Sequence, residues 1–412
     1  AYVVENIDEA LDLTKRQEIT VSHPDGSTKK YTINTRVFTG LPIMTIETEN
    51  RVLPPDKHTY VTGTIDISKT NEFPTAFTAS TNLKGRGNAT WGYPKKPYRI
   101  KLDKKASIFD LPADKSWVLL AGYCDRTLLR ASVQFKYSEI LQLDWTPHWQ
   151  YVELFLNGQY QGNYLFTEHI KTSGNRVKIE DDGYLFEKDA YAAQEPVYFT
   201  SEMGYSFSFK TPDPDDGITQ EQIDYAQSYI SRLEEALNAD DVLSRDAAFL
   251  DIIDVESWAK WYLVNFLMAN QDTNDYYVIT TSGAKLKKGP VWDAEWSAGI
   301  GWDNVKPIPY NYNGTRSYAY YPTMMQNPYF KEEVYRIFME NKEALKNGIM
   351  DYINEMYDYL YLSQKDNFEK WPIMNSVVSV NYTSNGTWEN EVQFLKSYLL
   401  KRLEWAESFL SK

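Results

Sequence analysis

Asp272 and Asp293 stand on either side of a stretch with strand signals: residues 276–280, a turn at Ser282-Gly283, and residues 285–292. If these strands pair antiparallel, the entrance to the first lies beside the exit from the second. Two carboxylates distant in sequence then meet at one end of a hairpin. Such a pair can divide the work of phosphoryl transfer, one orienting or deprotonating a hydroxyl while the other holds magnesium on a nucleotide's phosphates. Loop aspartates also commonly do no more than cap or flank strands.

The elements around the pair change character along the chain. Residues 31–37, 41–48, 60–67, 98–102 and 117–121 are short β-rich runs separated by Pro, Gly, Asp and Asn. Residues 151–156 and 160–170 flank Asn157-Gly158, a pair suited to the positive φ of a hairpin turn. One helix interrupts the strands over about 128–143, with Asp125 or Thr127 placed to cap it. After Pro214 the period becomes helical. Thr219 and Gln222 have capping-box spacing before Ile223, Ala226, Ile230, Leu233 and Leu237. Asp254 can cap a second helix over 255–269, apolar around most of its circumference and so expected to be buried. Helices also fit 332–345 and 390–410. The expectation is an α+β chain: a β-rich part over 1–212 with one inserted helix, and a mainly helical part over 213–412 that carries the Asp272/Asp293 hairpin.

Composition removes several function classes. The formal net charge of -14 disfavours a groove that tracks nucleic acid, which needs clustered Lys and Arg. The dense basic stretch, Lys84 to Lys105, fits either a local basic pocket or a solvated face. Cys124 is the sole cysteine, and His23, His58, His148 and His169 match no helical zinc pair, so disulfides and zinc hydrolysis are not expected. No apolar run approaches a membrane span, and no signal-peptide pattern opens the sequence. The expectation is an exported bacterial protein of the cell surface, periplasm or extracellular space whose signal peptide is absent from this chain.

Several longer motifs follow in order. Lys84-Gly85-Arg86-Gly87-Asn88-Ala89-Thr90-Trp91 precedes Lys95-Lys96-Pro97-Tyr98-Arg99-Ile100-Lys101-Leu102. Then come Trp117-Val118-Leu119-Leu120-Ala121 with Asp125, Thr127, Leu129 and Arg130, and Gly162-Asn163-Tyr164-Leu165 with Glu168. Asn270-Gln271-Asp272 and Gly289-Pro290-Val291-Trp292-Asp293 complete the series. Together they resemble the spore coat protein H kinase family, an atypical protein-kinase-like group, over about residues 41–302.

The resemblance implies a two-lobed kinase-like fold with ATP and Mg2+ between the lobes. Within it Asp272 would be catalytic and Asp293 would hold the metal, with Asn274 or Asp275 as a second ligand. Lys101 would meet the nucleotide phosphates, as the strand lysine of kinases does. Arg86 and Asn88, beside Gly85 and Gly87, could approach phosphates closely. Glu139 is the candidate partner of Lys101, and Glu168 and Glu187 end strands expected to line the cleft. The acceptor would be a protein Ser or Thr, a glycan or another hydroxyl. Departures from the family pattern are Ala89, where the signature has a hydroxyl residue, and the run Ala294-Glu295-Trp296-Ser297-Ala298-Gly299 after Asp293.

Two rival readings use the same residues. Asp293 and Glu295, among Trp292, Trp296 and Trp302, resemble in composition a sugar subsite, although carboxylates at i and i+2 are crowded for glycoside hydrolysis. The other rival is a degenerate kinase-like surface protein that binds a partner through its aromatic residues.

Overall fold

Apolar residues on alternate positions give the first half its strands. The computed structural model describes residues 3–5, 17–33, 37–301, 308–313, 318–378 and 384–412. A small antiparallel sheet comes first, made of β1 (Val3–Glu5), β2 (Gln17–Ser22) and β3 (Thr28–Ile33). The next seven strands are β4 (Ile43–Thr48), β5 (Val61–Ile67), β6 (Phe77–Gly85), β7 (Tyr98–Ala106), β8 (Asp114–Leu120), β9 (Trp149–Leu156) and β10 (Gln159–Glu168). They close into a barrel in the order β10-β8-β7-β6-β5-β4-β9. Met44, Ile46, Ile65, Leu83, Ile100, Leu119 and Phe166 fill its interior. The sheet closes through a parallel pairing in which Ile43 faces Glu153 and Ile46 faces Leu156. The expected run at 31–37 is described only in part, because 34–36 lie outside the described residues.

Helix α1 (Arg130–Ile140) interrupts the barrel strands between β8 and β9. Asp125 accepts from the Arg130 backbone N–H at 2.8 Å, so it serves the first turn as its position suggested. Asn157 and Gly158 turn the β9–β10 hairpin with φ of 51° and 73°.

A third sheet carries the candidate site. Its strands are β11 (Tyr184–Lys188), β12 (Tyr198–Thr200), β13 (Ser206–Thr211), β14 (Asp275–Ile279) and β15 (Lys287–Lys288), in the order β12-β13-β11-β14-β15. It therefore draws strands from both sides of residue 212. The helices that follow are α2 (Gln220–Asn238), α3 (Phe249–Ile252), α4 (Val255–Met268), α5 (Tyr321–Met324), α6 (Pro328–Lys370) and α7 (Trp388–Leu410). Thr219 and Gln222 form the expected capping box on α2, and Asp254 caps α4 by accepting from Ser257 N–H at 2.9 Å. Helix α4 is buried almost all round, with Trp258, Trp261 and Leu263 wholly inside. The chain is thus of mixed α+β class. No helix among the described residues is long and apolar enough to cross a membrane.

Candidate active site

Strands β14 and β15 pair antiparallel, Tyr277 opposite Lys288, and the Gly289 N–H extends the ladder to the Tyr276 carbonyl at 3.0 Å. The second strand, Lys287–Lys288, is shorter than the expected 285–292. This pairing returns the chain at Asp293 to the level of Asp272. Asn270 then ties the two loops together. Its Nδ2 donates to the Asp293 carbonyl at 3.0 Å and to Asn265 Oδ1 at 3.1 Å, while its Oδ1 accepts from the Asp272 N–H at 3.1 Å. Gln134 on α1 donates to the same Asn265 Oδ1 and to the Trp292 carbonyl. Helix α1, helix α4 and both aspartate loops are therefore one hydrogen-bonded unit. Asp293 itself has φ of 66°, in a left-handed region that Asp tolerates better than most residues.

Electrostatics mark the same place. The Asp293 carboxyl is exposed, yet protein crowds around it closely enough to penalise its charge, as at the floor of a cleft open to solvent. That desolvation, with the charges of Asp272, Glu295 and Glu187, pushes its pKa up to about 8, against the pull of Arg86. Desolvation also raises Asp272, and Lys188 opposes it. Glu295 is raised by burial and by Asp125, while Arg86, the Gly122 N–H and Lys95 favour its charged form.

Cations face these acids. The Arg86 guanidinium lies 5.4 Å over the Trp292 ring, and its charge acts on Asp293, Glu295 and Tyr276. Arg99, lowered by burial, also feels Arg86. His169 is held far below its ordinary range by burial and by the charges of Arg99, Arg86, Lys210 and Lys171. Lys210 pairs with Glu187 at 2.9 Å. Three acids of the loops, Asp272, Asp293 and Glu295, and the strand-end acid Glu187 are thus set near guanidinium and ammonium groups.

Of the residues expected from sequence, the structure gathers Asp272, Asp293, Arg86 and Glu187. Asn274 is half-buried on the loop between Asp272 and Asp275. Asp275 is fully buried against Lys188 and Lys288, so it is not free to ligate. Lys101 and Glu139 are not brought together: Lys101 is exposed with no ion pair among the described residues, and Glu139 pairs with Lys136 at 3.0 Å on its own helix. The α1 residue that reaches the site is Gln134. Glu168 is sealed inside, held by Arg176 and by His148, whose Nδ1 lies 2.9 Å away. Asn88 is exposed and accepts from Lys57 Nζ at 2.9 Å. Sequence reasoning missed Arg99, Lys188 and Lys210; the signal for Arg99 was its place two residues before Lys101 on the same strand face.

The sugar-subsite reading loses its aromatic wall. Trp292 is buried beneath Arg86 and against Phe135, Trp296 is half-buried, and Trp302 lies outside the described residues.

Residues 83–406 match the sequence pattern of the family described as CotH kinase protein. The chain belongs to the CotH kinase family. The match begins within β6, so in this CotH kinase the barrel strands β4 and β5 precede the matched region. No curated protein matches the chain. Among solved structures, one described as the crystal structure of the golgi casein kinase is similar at 8% identity, covering 89% of this chain and 74% of that one, with a TM-score of 0.27.

A kinase family implies ATP and a divalent cation, and the donors can be tested against them. Among the described residues no three His, Cys, Asp or Glu side chains form a ready metal cluster. Magnesium does not require one, since it is commonly held by one or two carboxylates with substrate phosphates and water. Asp293 fits: it is accessible, and it sits among acids whose mutual repulsion a cation would relieve.

Proposed function

We propose that the protein catalyses magnesium-dependent phosphoryl transfer from ATP to a hydroxyl acceptor, a protein Ser or Thr among the candidates, within a two-lobed kinase-like arrangement. One observation carries this reading: Asp272 and Asp293, far apart in sequence, meet at one hairpin end where Arg86 acts on Asp293, and Arg99 and Lys210 gather with Arg86 around His169. Asp293, with Asn274 as second ligand, would hold magnesium, which when bound neutralises phosphate charge. Asp272 accepts the proton of the attacking hydroxyl, its half-buried position keeping it close to the reacting oxygen and away from bulk water. Arg86 and Arg99 bind the phosphates, and the Trp292 ring under Arg86 fixes that guanidinium in place. Glu187 orients Lys210.

The test is turnover of radiolabelled ATP, to water or to the chain's own hydroxyls, in the parent and in Asp272→Ala. The variant should bind MgATP like the parent and lose about a thousandfold or more in rate, the scale expected for a general base that also positions the nucleophile. An unchanged rate would remove Asp272 from the chemistry. A second reading has its own support: with Asp275 held by two lysines, Asn274 is the one left of the two second-metal candidates after Asp272. On that reading the site binds nucleotide without turnover, and the parent itself shows none.

A further inference from the structure

Behind Asp272 lies a charge that the reading above does not use. Asp275 is fully buried, and its Oδ2 lies 3.4 Å from Lys288 Nζ and 3.3 Å from Lys188 Nζ. Lys288 is sealed in as well. Its Nζ sits 3.7 Å from the ring centre of Tyr277, 4.5 Å from that of Trp261 and 5.2 Å from that of Trp258. Burial lowers its proton affinity, while Asp275 and three ring faces favour the cation. No substrate reaches it there, and one such cation is enough to balance Asp275.

Lys188 is placed differently. Its side chain keeps 19% of its surface accessible, its ammonium lies 5.4 Å over the Tyr205 ring, and its charge acts on Asp272. Two ammonium groups therefore share one carboxylate. Burial brings Lys288 down to about 7, and of the two ammonium groups Lys188 is the one that reaches solvent next to the candidate base.

We infer that Lys188 is a catalytic cation of the transfer, contacting the phosphoryl group as it passes to the acceptor oxygen beside Asp272; the inference rests on the phosphotransfer reading. In that step the acceptor oxygen bonds to the γ-phosphorus and the bond from phosphorus to the β–γ bridging oxygen breaks. ADP leaves with the electron pair, and the acceptor proton passes to Asp272. Charge spreads over the equatorial oxygens of the moving group. An ammonium already fixed by Asp275 and Tyr205 meets that charge without reorganising.

The experiment is calorimetric binding of MgADP with and without aluminium fluoride, a mimic of the phosphoryl group in flight, to the parent, Lys188→Met, Lys188→Gln and Lys188→Arg. The parent should bind about a hundredfold tighter when the fluoride is added, as a transition-state mimic does. The Met and Gln variants should bind MgADP within about threefold of the parent and keep less than about a tenth of that gain, whereas Arg keeps most of it. A merely structural role would weaken MgADP binding and thermal stability together and leave the gain unmoved. Should the Met variant fail to fold, the Gln variant, which can still donate a hydrogen bond to Asp275, carries the comparison. An equal gain in parent and neutral variants overturns the role of Lys188 alone. A parent that binds MgADP with no gain also overturns it and leaves the nucleotide site standing, while a parent that binds no MgADP removes both.

Discussion

Asn270 is fully buried between the two aspartate loops, and both ends of its amide are used there, the oxygen on the Asp272 N–H and the nitrogen on the Asp293 carbonyl. Asn270→Ala leaves the Asp272 N–H and the Asp293 carbonyl without this partner, and should cost about 1–3 kcal/mol of stability. The sharper consequence is loss of registry between the loops. Turnover should fall at least about tenfold even where the variant is fully folded, because small misplacements at a reacting centre are expensive. Melting curves and rates on the same samples check both, and a folded Ala variant with the parent's rate would show that the brace does not set the site. At this scale the sequence was informative about position along the chain and less so about direction in space. Counting from the turn at Ser282-Gly283 places Asp272 and Asp293 at one hairpin end. Choosing between Arg99 and Lys101 is another matter, since both lie on one face of β7 and only the extent of packing over that face decides which one is half-buried near Arg86. Glu139 misled for a related reason. The buried residues of α1 mix Arg130, Ser132 and Gln134 with Val133, Phe135 and Tyr137, so hydrophobic periodicity could not show which way the helix faces.

Elements with local chemical signals were legible in the sequence, such as the capping box of α2, the cap of α4 and the Asn157-Gly158 turn. Helix α6 was not, running from Pro328 to Lys370 where only 332–345 was expected. Gly348 lies just beyond the expected range, and a Cβ there would lie 3.0 Å from Ile140 Cδ1, so the glycine serves the close approach of α6 to α1. The far end of α6 docks on β10 through Lys95, whose Nζ donates to the Asn163 carbonyl and to Asn367 Oδ1. Gly162 makes room for that dock, since a Cβ would come within 2.6 Å of Asn367 Oδ1. Burial brings Lys95 down to about 7, with Glu153 and Glu295 pulling the other way. In the unfolded chain a lysine titrates near ~10.4. Between those values the unfolded chain holds more protons than the folded one, so the cost of burying Lys95 shrinks as pH rises. From pH 7 to pH 9 the parent should therefore gain about 2 kcal/mol relative to Lys95→Met. Denaturant unfolding of both proteins at the two pH values measures it, and a difference that ignores pH would mean that Lys95 keeps its ordinary proton affinity.

Across the whole molecule, the mixed α+β class followed from the switch of period near Pro214, whereas the closed barrel did not. Its closure depends on the parallel pairing of β4 with β9, and no local pattern records a partner so far along the chain. The third sheet is likewise assembled from two separate stretches, which is why the strand that ends in Glu187 and Lys188 comes to lie beside Asp272 and Asp293. Net charge said little about the cleft: a chain of charge -14 still gathers Arg86, Arg99, Lys210 and Lys171 around His169. Acids and cations collected at one hairpin end are what a magnesium-nucleotide site requires. The most direct measurement is a calorimetric titration of ATP into the parent and into Asp293→Ala, each with and without magnesium. Saturable binding in the parent that needs the metal, and its loss by about a hundredfold or more in the variant, is the expected result. MgATP bound as tightly by Asp293→Ala as by the parent would contradict the account.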